Sequence, residues 1–212
     1  MTNNELPVFA SERWKTVPFE LDVKTPWDKL IDIFLSLPQC LALASETRFS
    51  EMRDGVLQIQ AELLLWWDDW SSLSPALGGL NAAGHIAMFN TAQVVVSSLL
   101  LLASGPRDEL AANIRSSSDI VLEVAVLVES LMGGEAAFWS RALLMVFPLK
   151  VIALWGPDIE RRERAAKMLN RWGPREGLRG ICRNSAPFVG EEEIGYRDAR
   201  GRVSGFCRAL TD

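Results

Sequence analysis

Apolar positions along this chain recur at helical spacing, in long stretches separated by short breaks of Gly and Pro, and no stretch sustains the apolar–polar alternation of a strand. Residues 1–24, broken by Pro7 and Pro18, read as extended or irregular. Thr25-Pro26 then predicts a helix start, with Thr25 as cap, Pro26 at the first helical position and Asp28 in the first turn. Trp27, Leu30, Ile31, Phe34 and Leu35 form its apolar stripe, Pro38 ends or kinks it, and Gln39 to Phe49 continues. Glu51 to Trp70 reads as a longer helix with Val56, Ile59, Leu63, Trp66, Trp67 and Trp70 on one broad face, followed by a loop from Ser71 to Gly79.

Leu80 to Ser104 is predicted as a helix that Gly105-Pro106 stops. No residue from Pro75 to Ser104 carries a formal charge, yet Asn90, Thr91, Gln93, Ser97 and Ser98 interrupt the apolar run. That pattern fits a central helix walled by other helices better than a membrane span, which needs about 20 predominantly apolar residues. An exposed face at a homodimer interface is the other placement open to it. Asp108 to Leu131 is a further helix, with Arg115, Asp119, Glu123 and Glu129 on its wet side and Ile114, Ile120, Val121, Val124, Leu127, Val128 and Leu131 covering the rest. Ala136 to Trp155 is largely apolar, with a kink expected at Pro148, and Asp158 to Trp172 is amphipathic, with Glu160–Arg164 and Glu163–Lys167 spaced as i,i+4 pairs. A short helix near Glu176 to Arg183 precedes a polar tail over residues 185–212. The fold class expected is all-α: an irregular bundle of about seven helices spanning residues 25–184.

Composition narrows the function classes. The net charge of −5 and the lack of any basic run argue against a nucleic-acid face. Cys40, Cys182 and Cys207 lie far apart and are odd in number, which is the usage of a reducing compartment. The eight Trp beside a single Tyr supply bulk for a core or for a pocket wall.

His85 is the sole histidine, so any Ser–His–Asp triad or histidine metal site must use it; packing or capping is the alternative role. Asp68-Asp69, inside Trp66-Trp67-Asp68-Asp69-Trp70, invites comparison with an aspartate-rich magnesium motif. The further carboxylate such a motif needs one turn on is replaced by Ser71 and Ser72, and in the second motif Asn113 and Ser117 are followed by Val121 where an acid is required. No metal site and no cofactor are expected. Trp66, Trp67, Trp70, Trp139 and Trp155 are candidates to line a pocket for an apolar ligand, with core packing as the competing role. Arg141 and Lys150 are the charges of an otherwise apolar helix; each is either functional or paired with Glu123 or Glu129. The candidate catalytic set is therefore His85, Asp69, Arg141 and Lys150.

Five segments, in order, carry a resemblance. They are Trp14 to Phe19 with Thr25 to Leu37; Met88-Phe89-Asn90-Thr91-Ala92 within His85 to Leu102; Ser117-Ser118-Asp119-Ile120-Val121-Leu122-Glu123; Val146-Phe147-Pro148-Leu149-Lys150; and Arg171-Trp172 with Gly177 to Cys182. Together, across residues 14–184, they resemble the C-terminal regulatory region of fungal zinc-cluster transcription factors. That family binds DNA through six closely spaced cysteines that hold two zinc ions, and this sequence contains no pair of nearby cysteines. The resemblance implies a helical regulatory domain, cytoplasmic or nuclear, that senses a small hydrophobic metabolite or contacts a protein partner in a secondary-metabolism setting. It implies no site-specific DNA binding by this chain. The rival expectation is a cofactor-free cyclase or isomerase acting on a polyketide or terpenoid intermediate in a Trp-lined pocket, since holding a reactive conformer lowers a barrier without any acid–base motif.

Overall fold

Thr25 starts the first helix as its residue type dictates. Its hydroxyl accepts from the Asp28 N–H at 3.2 Å, and the Asp28 carboxylate accepts from the Thr25 N–H at 3.0 Å, so two backbone donors at the helix start are satisfied reciprocally. The structure is a computed structural model. It describes residues 24–73, 79–130 and 135–173, and for residues 45, 73, 79–81 and 135–141 the backbone alone. The expectations for residues 1–23, the short helix near Glu176 to Arg183, the polar tail, Cys182 and Cys207 lie outside the described residues.

Among the described residues there are seven helices and no strand, so the chain is all-α. They are α1 (Pro26–Phe34), α2 (Leu37–Ser45), α3 (Phe49–Leu73), α4 (Gly79–Ser104), α5 (Asp108–Ser130), α6 (Glu135–Trp155) and α7 (Ile159–Trp172). The expected continuation from Gln39 to Phe49 is cut short. Thr47 adopts φ 61°, its N–H donates to the Ala44 carbonyl at 3.2 Å, and the Arg48 N–H donates to the Leu43 carbonyl at 3.0 Å. This is a Schellman ending with threonine where glycine usually stands, and it closes α2 at Ser45. Arg48 is then braced by Glu46 and Glu51, which starts α3 two residues earlier than Glu51. Hydrogen bonding to Arg48 lowers the Glu51 carboxyl from its usual range.

α4 is the axis of the bundle. It packs against α1, α2, α3, α5 and α6, and Val94, Val96 and Leu99 on it are fully buried. Ala82–Ser104 is long and apolar enough to cross a membrane, but 83% of its most apolar window is buried among its neighbours, which accounts for its lack of charge. Its polar residues are absorbed locally. The Thr91 and Ser98 hydroxyls each donate to the carbonyl four residues back at 2.7 Å, and Asn113 on α5 donates to Ser97 Oγ at 2.8 Å and to Gln93 Oε1 at 3.3 Å. Asn113, a candidate member of a metal motif by spacing, is therefore committed to the α4–α5 seam. Ser117 and Ser118 are buried on that helix, while Leu127, expected on the covered side, is largely exposed.

Gly105, at φ 80°, ends α4 where the sequence predicts, donating to the Leu101 carbonyl at 3.0 Å. α6 continues through Pro148, although proline supplies no N–H to the preceding turn. α7 packs on α6 and α5. Asp158 caps it by accepting from the Arg161 N–H at 3.0 Å, and Arg161 reaches across to both carboxylate oxygens of Asp119 on α5, at 2.7 Å each. Of the two i,i+4 pairs expected on this helix, Glu163–Lys167 forms at 3.0 Å and Glu160–Arg164 does not.

Cys40 is buried, and desolvation pushes its thiol up to about 11. At pH 7.5 about one such thiol in three thousand is ionised. In the native chain the Cys40 peptide is expected to resist iodoacetamide at pH 7.5 for hours, and to label within minutes in denaturant. Quantitative peptide mapping measures this, and rapid native labelling of Cys40 at pH 7.5 would contradict it. Because burial holds the proton on in the fold, Cys40 destabilises the native state only as pH rises from about 9 towards 11, where the unfolded thiol ionises first.

Candidate functional site

The aromatic positions of α3 and α4 face one another in an antiparallel register. Trp66 and Trp70 are one helical turn apart, and their rings stack at 5.7 Å with an interplanar angle of 9°. His85 and Phe89 are one turn apart on α4. Trp70 lies over His85 at 5.7 Å, and Trp66 lies over Phe89 at 5.9 Å. Trp67 closes the side of the stack against Phe89 at 4.4 Å, and Trp27 from α1 meets His85 edge-on at 5.1 Å. Rings packed at these distances contribute about 0.5–1.5 kcal/mol per pair beyond their buried area.

α1 is tied to this stack by the Trp66 indole, whose Nε1 donates to the Pro26 carbonyl at 2.7 Å. The tie leaves a cleft of about 280 Å³ between α1 and the C-terminal part of α3, lined by Pro26, Lys29, Trp66, Asp69, Trp70 and Ser72. Trp66 and Trp70 make its apolar wall, and Lys29 and Asp69 bring one charge of each sign. Neither Lys29 nor Asp69 takes part in an ion pair among the described residues, in contrast to Asp32 on the same helix as Lys29, which pairs with Lys24. Trp70 Nε1 is buried without a hydrogen-bond partner among the described residues.

The structure thus brings together Trp66, Trp67, Trp70, Asp69 and His85 from the sequence-predicted set, and it divides their roles. Trp66, Trp70 and Asp69 line the cleft, while Trp67 and His85 back its wall from within the ring stack. His85 lies inside α4, held between indole rings. Trp155 is buried at the end of α6, about 16 Å along that helix from Leu144, the α6 residue that approaches Gly84 of α4. Trp139 and Arg141 belong to α6, and their side chains lie outside the described residues.

The expected pairing of Lys150 with Glu123 or Glu129 does not occur. Glu123 is exposed, and Glu129 is taken by α7, accepting from Trp172 Nε1 at 3.2 Å and pairing with Arg171 at 3.3 Å. Half-buried Lys150 pairs with neither. Among the described residues no group of three or more His, Cys, Asp and Glu is placed to hold a metal ion.

Lys29 is the lining residue that the sequence does not single out. It follows Pro26 by one helical turn, and only the docking of α1 on α3 turns that face into a cleft wall. Chemically, the described lining offers two indoles that are each only 4% exposed, one cation and one anion. Comparison with protein families, with curated proteins and with solved structures finds no match to this chain.

Proposed function

We propose that this chain is a helical regulatory domain that binds a small molecule with an apolar body in the Trp66–Trp70 cleft, and that it works by binding rather than by turnover. The observation that carries the reading is the cleft itself: two stacked indoles form its wall, and two opposite charges on its lining have no ion-pair partner among the described residues. Pockets for small ligands combine an apolar lining with a few placed polar groups. At 280 Å³ the cleft lies just below the range of about 300–1,000 Å³ usual for drug-sized ligands, so it fits a small ligand held at one end of the bundle better than a polycyclic intermediate enclosed for cyclisation. The ordered resemblance to the regulatory region of zinc-cluster transcription factors supports the regulatory setting, with metabolite sensing as its natural form.

Plugging the cleft tests this. Ser72 is exposed at the lining, so Ser72→Trp fills the space without altering the buried ring stack. The wild-type chain is expected to bind an anilinonaphthalene sulfonate probe with one-to-one stoichiometry by fluorescence titration. Ser72→Trp is expected to weaken that binding at least tenfold with an unchanged circular-dichroism spectrum. Equal binding by both proteins would remove the cleft as the site.

A further inference from the structure

We infer that the outward face of α3 docks an amphipathic helix of a partner protein, one whose apolar side chains are flanked by Lys or Arg. This face shares no residue with the lining of the cleft and stands independently of it. α3 is apolar on two opposite sides. Val56, Ile59, Leu63 and Trp66 are buried on the side that packs against α1, α2 and α4. At about 3.6 residues per turn, Leu57, Ala61, Leu64 and Leu65 fall on the other side. Leu57, Leu64 and Leu65 are 42%, 56% and 69% exposed, and the last two are the most exposed large apolar side chains among the described residues. One apolar stripe holds a helix to its own fold, so the second stripe is left for another surface.

The spacing fits a helix. Asp54, Leu57, Gln58 and Ala61 stand at i, i+3, i+4 and i+7, and Ala61, Leu64, Leu65 and Asp68 repeat that spacing one heptad later, every one of them exposed. Four residues so spaced bound the hole that receives one side chain of a packed helix. α3 therefore offers two successive holes about 10 Å apart, with the small Ala61 shared between them, which matches apolar side chains seven residues apart on a partner helix. Charge selects the partner. Asp54 and Asp68 close the two ends of the stripe, and neither has an ion-pair partner among the described residues. A second copy of this chain fits poorly. In an antiparallel pair centred on Ala61, Asp54 of one copy meets Asp68 of the other, and in a parallel pair each acid meets its twin. Exposed Arg53, beside the stripe, offsets one of those acids at most. A helix with Lys or Arg next to its apolar residues meets both acids favourably.

Fluorescence anisotropy of the full chain with two labelled three-heptad peptides tests the inference. Both carry leucine at the same heptad positions, and the flanking positions are lysine in one and glutamate in the other. The lysine peptide is expected to bind saturably at low salt, and the glutamate peptide about tenfold more weakly. Leu65→Glu is expected to weaken the lysine peptide by about tenfold or more. The circular-dichroism spectrum of that variant is expected to stay unchanged, because the side chain it replaces lies mostly in water. Asp54→Lys combined with Asp68→Lys is expected to reverse the preference between the peptides, a change that loss of folding does not produce. No saturable binding of the lysine peptide, equal affinity for both peptides, or a lysine peptide indifferent to Leu65→Glu would each overturn the docking surface. Sedimentation equilibrium decides between occupants. The wild type and Leu65→Glu are expected to share one association state, whereas a wild-type dimer that Leu65→Glu dissociates would give this face to a second copy and sink the basic partner helix.

Discussion

Replacing Trp172 with alanine is expected to lower the free energy of unfolding by about 3–5 kcal/mol. Trp172 is the last residue of α7 and has no exposed surface. Its ring lies in the seam where α7 packs on α5 and α6, so truncation removes apolar contact and leaves a cavity that neighbouring helices cannot fill without shifting. The indole also donates to Glu129 at 3.2 Å, and that carboxylate keeps only the Arg171 contact when the donor is lost. Arg171 is largely exposed, and such a pair contributes little by itself. Trp172→Phe separates the two effects. It keeps most of the apolar volume, loses the N–H, and is expected to cost about 1–2 kcal/mol. Urea unfolding followed by far-ultraviolet circular dichroism measures both variants. A loss below about 1 kcal/mol for the alanine variant would mean that α7 is not part of the cooperative core.

Helix boundaries decided by local chemistry are legible in the residues themselves. Thr25 and Asp28 form the box that their spacing predicts, Gly105 stops α4, and Asp158 caps α7 with the side-chain bond expected of an aspartate that precedes a helix. The one boundary that residue types hide is equally specific. Nothing between Gln39 and Phe49 is a conventional stop, yet Thr47 takes the left-handed position and the carbonyls of Leu43 and Ala44 are satisfied by the two N–H groups that follow the turn. A β-branched residue at positive φ is costly, so packing of α2 against α3 and α4 is what holds the turn. Periodicity also misplaces Leu127 and passes over Ser117 and Ser118, because a seam between two close helices is set by side-chain size as much as by polarity.

For the candidate site, the split follows the same logic. Trp66 and Trp70 are a single turn apart, so their shared face is readable from spacing, and Asp69 and His85 stand out by residue type. The register that sets Trp70 over His85 and Trp66 over Phe89 depends on how two distant helices align, which no local pattern encodes. Lys29 is silent in the sequence for the same reason. Trp155 and Lys150 stand out by type alone, and the fold places them elsewhere. His85, singled out as the sole histidine, is wedged among the rings of Trp27, Trp66 and Trp70 behind the wall of the cleft.

Gly156→Ala is expected to destabilise the chain by about 2–3 kcal/mol, and for a different reason from the glycine that ends α4. A methyl group at Gly156 would stand 2.5 Å from the Ile152 carbonyl oxygen and 3.0 Å from Arg162 Cγ. The first contact is with backbone, so the turn itself must move. That turn is tightly specified. The Gly156 N–H donates to the same Ile152 carbonyl at 2.8 Å, Asp158 begins α7 two residues later, and Arg161 carries the contact to Asp119. A shift of a few tenths of an ångström there is passed to the α5–α7 seam, the same seam that Trp172 fills. Gly105→Ala is the control. Its φ of 80° strains any side chain, but nothing lies within 4 Å of an added methyl group, so the expected cost is the conformational one alone, about 1–2 kcal/mol. Thermal unfolding of the two variants in parallel compares a close-approach glycine with a left-handed one. A Gly156→Ala loss no greater than that of Gly105→Ala would show that the α6–α7 turn has room to relax, and the coupling of that turn to Asp119 would then not hold.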